Sequence, residues 1–362
     1  MSDAQDPYIV SALKYRPQKF SDVVGQQAIT DTLEKAIDQN KLAQALLFCG
    51  PRGVGKTTCA RILAKKINEE DPGNSEQDFA FNIFELDAAS NNTVEDIRSL
   101  NDQVRIPPQV GSHKVYIIDE VHMLSLAAFN AFLKTLEEPP AHVIFILATT
   151  EKHKIIPTIL SRCQIYDFKR MSVTDTKKHL ASIAQDKNIA VEEEALHLIA
   201  QKADGAMRDA LSLFDRMIAH SDSTLTAKRV AENLNIVDTD TYFGLIDLII
   251  DQQIPELLVQ LDQVLSSGFD GSQFLEGLAG HFRELLVCKD PQTLSLLSAS
   301  EQTKEQFQKQ SGAIAVPQLL QILAIIQEAE TRYKNIRNKR LHLELCLMQL
   351  ASTNGDEKKK SD

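Results

Sequence analysis

The run Gly50-Pro51-Arg52-Gly53-Val54-Gly55-Lys56-Thr57 follows an apolar stretch, Ala45–Cys49, and leads into a helix-forming one. It fits G-x-x-x-x-G-K-[ST], and the strand before it and the helix after it separate it from a chance glycine-rich turn. Glycines let the backbone curl until several N–H groups point at one anion, and the helix adds its positive end. Such a turn needs a sheet strand behind it and a helix in front, so the chain must contain an α/β domain. On this reading Lys56 reaches the β- and γ-phosphates of a nucleotide and Thr57 offers a hydroxyl to Mg2+. Gly50, Pro51, Arg52, Gly53, Val54, Gly55 and Thr58 complete the turn.

Residues 1–170 alternate short apolar runs with longer amphipathic segments, the pattern of a mainly parallel sheet covered by helices. Strands are expected at Ala45–Cys49, Asn82–Asp87, Lys114–Asp119, His142–Ala148 and Gln164–Phe168, with helices from Gly55 to about Asn68 and from Leu126 to about Leu136. Pro139-Pro140 stops the last of these before the next strand. The strand ending in Asp119-Glu120 supplies the second half of a nucleotide site: Asp119 to the metal, Glu120 to polarise an attacking water. Asp119-Glu120-Val121-His122 also fits the D-E-x-H box of superfamily 2 helicases, so this pair alone leaves two machines open.

Past Met171 the strand pattern gives way to helical spacing. Ser172 and Asp175 read as a capping box, and a helix is expected from Ala206 to about Ile218. The division expected is a nucleotide-binding domain at 1–170, a helical lid at 171–237 and an all-helical domain at 238–352, whose strongest helices lie at Leu319–Arg332 and from Lys339. Thr353–Asp362, polar and Lys-rich, reads as a disordered tail. No apolar run approaches the ~20 residues of a membrane span. The five cysteines, at 49, 59, 163, 288 and 346, form no C-x-x-C pair, which favours reduced thiols in cytoplasm. A net charge of −11 argues mildly against a stand-alone DNA binder, so DNA contact must come from a local patch or an assembly.

Further along, Thr149-Thr150 ends an apolar strand, where Thr150 would sit between the carboxylates and a γ-phosphate. Ser161-Arg162-Cys163 and Gly205-Ala206-Met207-Arg208-Asp209-Ala210-Leu211-Ser212 follow. With these segments the chain resembles the AAA+ clamp-loader ATPases. Asp87-Ala88-Ala89-Ser90, Ile118–Ser125, Leu133–Pro140 and Ile159–Cys163 are similar almost word for word to the bacterial gamma/tau family. Tyr15-Arg16-Pro17 and Asp22-Val23-Val24-Gly25-Gln26 resemble that family's adenine-packing segment, bringing in Tyr15, Arg16 and Val24.

The resemblance implies an AAA+ domain with a five-stranded parallel sheet, a small helical lid and a helical collar. It implies an ATPase that uses ATP and Mg2+ to open a sliding clamp and load it on primer–template DNA. Arg162 would act as an arginine finger on a neighbour's ATP, and Arg208 would sense the γ-phosphate in cis; Arg98 would contact DNA. The partners implied are other gamma/tau copies, the delta and delta-prime subunits, the clamp and primer–template DNA, with the polymerase core added where a longer form exists. The expected location is cytoplasmic, at the nucleoid during replication. One departure stands out: the family's four-cysteine zinc module is replaced by a cysteine-free acidic loop between Asn68 and Asn82, so no zinc is expected. A stand-alone helicase would need a second strand-rich nucleotide domain, which the helical second half does not offer. A non-catalytic scaffold of the delta-prime kind would have a degraded phosphate loop, whereas Lys56, Thr57, Asp119 and Glu120 are all present.

Overall fold

The computed structural model describes residues 9–69, 82–109, 111–219, 224–234, 237, 239–297 and 301–353. Two compact units emerge, Met1–Asn188 with Ile199–His220, and Ile189–Leu198 with Ser221–Asp362.

The first unit opens with a single turn, α1 (Ser11–Lys14), and α2 (Gln27–Asp38). Then come β1 (Ala45–Cys49), α3 (Lys56–Glu69), β2 (Ile83–Asp87), α4 (Val94–Val104), β3 (Lys114–Asp119), α5 (Leu126–Glu137), β4 (Val143–Thr149), the short α6 (Pro157–Leu160) and β5 (Gln164–Asp167). Next are α7 (Val173–Asp186) and, after the segment Ile189–Leu198 that carries β6 (Ala190–Val191) and the start of α8 (Glu193–Lys202) into the second unit, α9 (Met207–Ala219). The five long strands form one parallel sheet in the order β2-β3-β4-β1-β5. Every residue of β1 and β4 is buried, as a parallel sheet with helices on both faces requires. Side chains alternate between those faces. Leu46 and Phe48 join Leu33, Leu63 and Ile146 on the α2–α3 side, while Leu47 joins Ile97, Phe132 and Phe145 on the α4–α5 side.

The expected strands Ala45–Cys49 and Lys114–Asp119 coincide with β1 and β3; the other three differ by one residue at one or both ends. The helix ends have local causes. Thr93 and Asp96 close a capping box on α4, and Ser172 caps α7 by accepting the Asp175 N–H at 3.0 Å. Pro139-Pro140 stands just past Glu138, the C-cap of α5.

The second unit adds β7 (Thr224–Leu225), α10 (Ala227–Asn233), α11 (Thr239–Ile250), α12 (Ile254–Ser266), α13 (Gly271–Val287), α14 (Glu301–Gly312), α15 (Val316–Tyr333) and α16 (Lys339–Ser352). Its core gathers Leu245, Leu257, Phe274, Phe282, Ile326 and Leu347. A two-residue parallel bridge, β6 with β7, departs from the purely helical expectation. Pairs this short carry no periodicity for a sequence to display. Residues 70–81 of the cysteine-free loop, and the expected tail beyond Thr353, lie outside the described residues. Among the described residues no single helix is long and apolar enough to cross a membrane, and no three His, Cys, Asp or Glu side chains gather as a metal-binding group.

Candidate nucleotide site

The sheet order prepares the site. β1 lies between β4 and β5, and the chain leaves it for the far edge before filling back. A crevice opens at the carboxyl ends of such strands, where the order reverses. Cys49 lies beside Thr149 and Asp87 beside Asp119 in register, so the residues after β1, β3 and β4 emerge along one edge.

Gly50 has φ +149°, and a Cβ there would stand 2.5 Å from the Phe168 carbonyl oxygen, so only glycine fits. Gly53, at φ +76°, has Ala206 Cβ 3.0 Å from where its own would be, so the turn nests against the start of α9. Lys56 is 6% exposed. Its Nζ donates to the carbonyls of Gly50 at 2.7 Å and Pro51 at 2.8 Å, closing the turn on itself. Burial lowers its pKa, and the nearby carboxylates of Glu120 and Asp119 act in the opposite direction.

Thr57 donates its hydroxyl to Asp119 Oδ2 at 2.7 Å, and the Glu120 N–H donates to Asp119 Oδ1 at 2.9 Å. Glu120 adopts φ +48°, a left-handed conformation that costs a non-glycine residue energy and clusters at functional sites. Its Oε2 accepts from Thr150 twice, the hydroxyl at 2.9 Å and the amide at 3.3 Å. His122 Nδ1 lies 3.4 Å from that oxygen and 3.1 Å from Thr149 Oγ1. The carboxylate is therefore held by the end of β4.

A cavity of about 510 Å3 joins these groups. Arg52, Gly53, Gly55, Lys56, Thr57, Thr58, Asp119 and Glu120 line it with Arg208, and Tyr15, Arg16, Pro17, Val23 and Val24 form another part of the wall. Arg16 is partly buried, and its pKa is lowered first by that burial and then by the positive charges of Arg61 and Arg208. Arg16, Arg52, Lys56 and Arg208 bring positive charge to the cavity, beside the carboxylates of Asp22, Asp119, Glu120 and Asp215.

Not every expected residue meets there. Val54 is fully buried in the core and can offer only backbone. Gly50 and Pro51 turn their carbonyls to Lys56, and Thr150 touches Glu120 rather than the cavity wall. Arg162 is bound within its own chain, to Glu137 Oε1 at 2.6 Å and the Thr158 carbonyl at 2.7 Å. Arg98 is exposed on α4, outside the cavity lining. The sequence reading missed Ser11, Lys187 and Asp215, which join α1 to α7 and α9. The available signal was that Asp215 stands seven residues after Arg208, on the same helix face.

Three family models match successive parts of the chain: "DNA polymerase III, delta subunit" over residues 25–172, "DNA polymerase III clamp loader subunit, ATPase lid domain" over 175–223, and "DNA polymerase III subunits gamma and tau domain III" over 225–361. The DNA polymerase III subunit tau of Bacillus subtilis (strain 168) is 40% identical over 354 residues, 94% of this chain and 62% of that protein. That of Escherichia coli (strain K12) is 40% identical over 285 residues, 75% of this chain and 44% of that protein. The chain thus spans less than two thirds of the length of these tau relatives. The DNA polymerase III subunit gamma of Buchnera aphidicola subsp. Baizongia pistaciae is 39% identical over 264 residues, 70% of this chain and 71% of that protein. With its parallel sheet, its phosphate-binding turn and these relatives, the chain belongs to the gamma/tau family of DNA polymerase III clamp-loader subunits.

Proposed function

We propose that this chain is an ATP-hydrolysing motor subunit of a sliding-clamp loader. The observation that carries the reading is the convergence of Lys56, Thr57, Asp119, Glu120 and Arg208 on one cavity. In this role Lys56 leaves the turn carbonyls for the β- and γ-phosphates, and the turn's N–H groups bind phosphate oxygens. Glu120, once freed from Thr150, orients the attacking water, and Arg208 meets the γ-phosphate from α9. Tyr15, Arg16, Pro17 and Val24 enclose the base and ribose.

The Thr57 hydroxyl and Asp119 carboxylate, 2.7 Å apart, are hard oxygen donors of the kind that suits Mg2+. Bound there with nucleotide, the ion would neutralise charge shared by the β- and γ-phosphates.

Arg162 in this reading serves the ATP of an adjacent subunit, so hydrolysis depends on assembly. The partners are further copies of the chain, delta and delta-prime subunits, the sliding clamp and primer–template DNA, with the polymerase core reached by longer forms. Arg98 contributes a sequence-independent phosphate contact. The three-part division at residues 170 and 237 and cytoplasmic, nucleoid-associated work belong to the same reading.

The test is nucleotide binding and steady-state hydrolysis, by the chain alone and reconstituted with the other loader subunits. Activation by clamp plus primed DNA is expected, and Lys56→Ala should abolish ATP binding. Tight nucleotide binding by that variant would refute the site; directional strand separation by the chain alone would refute the function.

A further inference from the structure

The turn α1 has a single buried residue, and it is polar: Ser11 is 0% exposed. Its apolar neighbours face outward, Leu13 at 58% exposure and Val10 at 42%. One turn of helix does not stand by itself in water, and hydrophobic burial does not explain where this one sits. Hydrogen bonds do. The Ser11 N–H donates to Asp215 Oδ2 at 2.5 Å, and the Ser11 hydroxyl donates to Asp215 Oδ1. Lys187 Nζ donates to Ser11 Oγ at 2.6 Å and to Asp215 Oδ1 at 3.0 Å. Asp215 is 8% exposed, so the carboxylate is satisfied by three donors away from bulk water. A second, exposed set reinforces the first: Tyr15 donates its hydroxyl to Asp186, and Lys14 pairs with Asp186 at 3.6 Å.

We propose that Ser11, Lys187 and Asp215 form a latch that positions the strap Val10–Pro17 over the base end of the nucleotide cavity and fastens it to α9. The strap supplies six of the cavity's lining residues, Val10, Ala12, Leu13, Tyr15, Arg16 and Pro17. At the other end of the latch, Arg208, Leu211, Ser212 and Asp215 all face the cavity from α9. Asp215 lies two turns beyond Arg208, so the helix that carries the expected γ-phosphate arginine also carries the strap's anchor. These three are positioning residues: they act through Tyr15, Arg16 and Pro17. The inference rests on the nucleotide-site reading above.

The test compares the full chain with Ser11→Ala and Asp215→Asn for binding of ATP and of inorganic tripolyphosphate, which lacks base and ribose. Amide exchange of residues 11–16 is followed without nucleotide. Each variant should weaken ATP binding about tenfold, the loss typical of one charge-assisted hydrogen bond. Tripolyphosphate affinity should not change, and strap exchange should accelerate. In the double variant the second substitution should add little, because both break one network. Ser11→Ala alters only a hydroxyl at the edge of the fold and serves if Asp215→Asn does not fold. Unchanged ATP affinity with unchanged strap exchange would overturn the latch. Equal weakening of ATP and tripolyphosphate would also overturn it, by reducing the network to general support of the fold. A wild-type chain that binds neither ligand would remove the nucleotide-site reading, and the latch with it.

Discussion

Single residues in this chain carry conflicts that only their neighbours resolve. Glu120 takes a left-handed backbone in a position that is not glycine, and it persists because Asp119 accepts its N–H and Thr150 holds its carboxylate. His281 presents a different conflict, an ionisable ring at 5% exposure among Tyr242, Phe243 and Phe307. Gln310 donates through Nε2 to the Phe243 carbonyl and to Asp247 Oδ1, so its Oε1 accepts, and His281 Nε2 carries the proton of their 3.1 Å bond. Burial pushes the His281 pKa down to about 4, while the hydrogen bond that the ring donates to Gln310 acts the other way. Unfolded, the ring titrates near its ordinary value of about 6.5. Between those two values the unfolded chain binds more protons than the folded one, so stability must fall as pH drops through that window. A loss of about 3 kcal/mol is expected from pH 7 to pH 4 at this site. Urea unfolding followed by circular dichroism across that range checks it. His281→Phe should flatten the slope, and an unaltered slope would show that other groups set it.

Among elements, the contrast is between those stabilised by their own sequence and those that need a close fit. α4 and α7 begin at side-chain caps and bury one face, so each is well specified locally. α13 depends instead on its approach to α11. A Cβ on Gly277 would lie 2.0 Å from the Tyr242 hydroxyl oxygen. That hydroxyl donates to the Phe274 carbonyl at 3.2 Å, and its ring packs on Phe274 with centroids 6.0 Å apart. The tyrosine cannot withdraw without giving up both contacts. Alanine improves helix propensity by about 1 kcal/mol, but overpacking a dense core costs about 1–3 kcal/mol. With the 2.0 Å clash placing the cost toward the upper end of that range, Gly277→Ala should lower stability by about 1–2 kcal/mol, read as a reduced urea midpoint with an unchanged m-value. A raised midpoint would mean that α11 and α13 have room to part.

At the scale of the whole molecule, the acidic balance and the packing of Arg162 both point away from a machine complete in itself. A net charge of −11 gives little general attraction for DNA. Arg162, the proposed finger, rests on Glu137 at the surface, its side chain 33% exposed. A pair as exposed as this contributes little to stability, so the arginine is free to exchange Glu137 for another anion. Arg162→Ala should leave nucleotide affinity and folding nearly unaltered in the single chain. In a reconstituted loader it should reduce DNA-stimulated hydrolysis by about a thousandfold, the effect of removing a finger that stabilises transition-state charge. An undiminished DNA-stimulated rate in that assembly would count against action on a neighbour's nucleotide.

The amino-acid sequence by itself determined the features written in consecutive residues. The glycine-rich turn Gly50–Thr57, the strand ending in Asp119-Glu120, the cap of α7, and all five long strands to within a residue are of this kind. Hydrogen bonding and side-chain alternation act over a few neighbours, so composition and spacing record them. Tertiary structure alone decided which distant groups meet. Ser11 and Asp215 are separated by 204 positions, Thr150 and Glu120 by 30, and neither pair leaves a mark on local periodicity. The same holds for the bridge of β6 with β7, two residues on each side. What brings such groups together is the packing of helices on a shared sheet and the need to satisfy buried polar atoms. The phosphate loop was legible before any fold was known; the latch on the strap beside it became visible only when α1, α7 and α9 were in place.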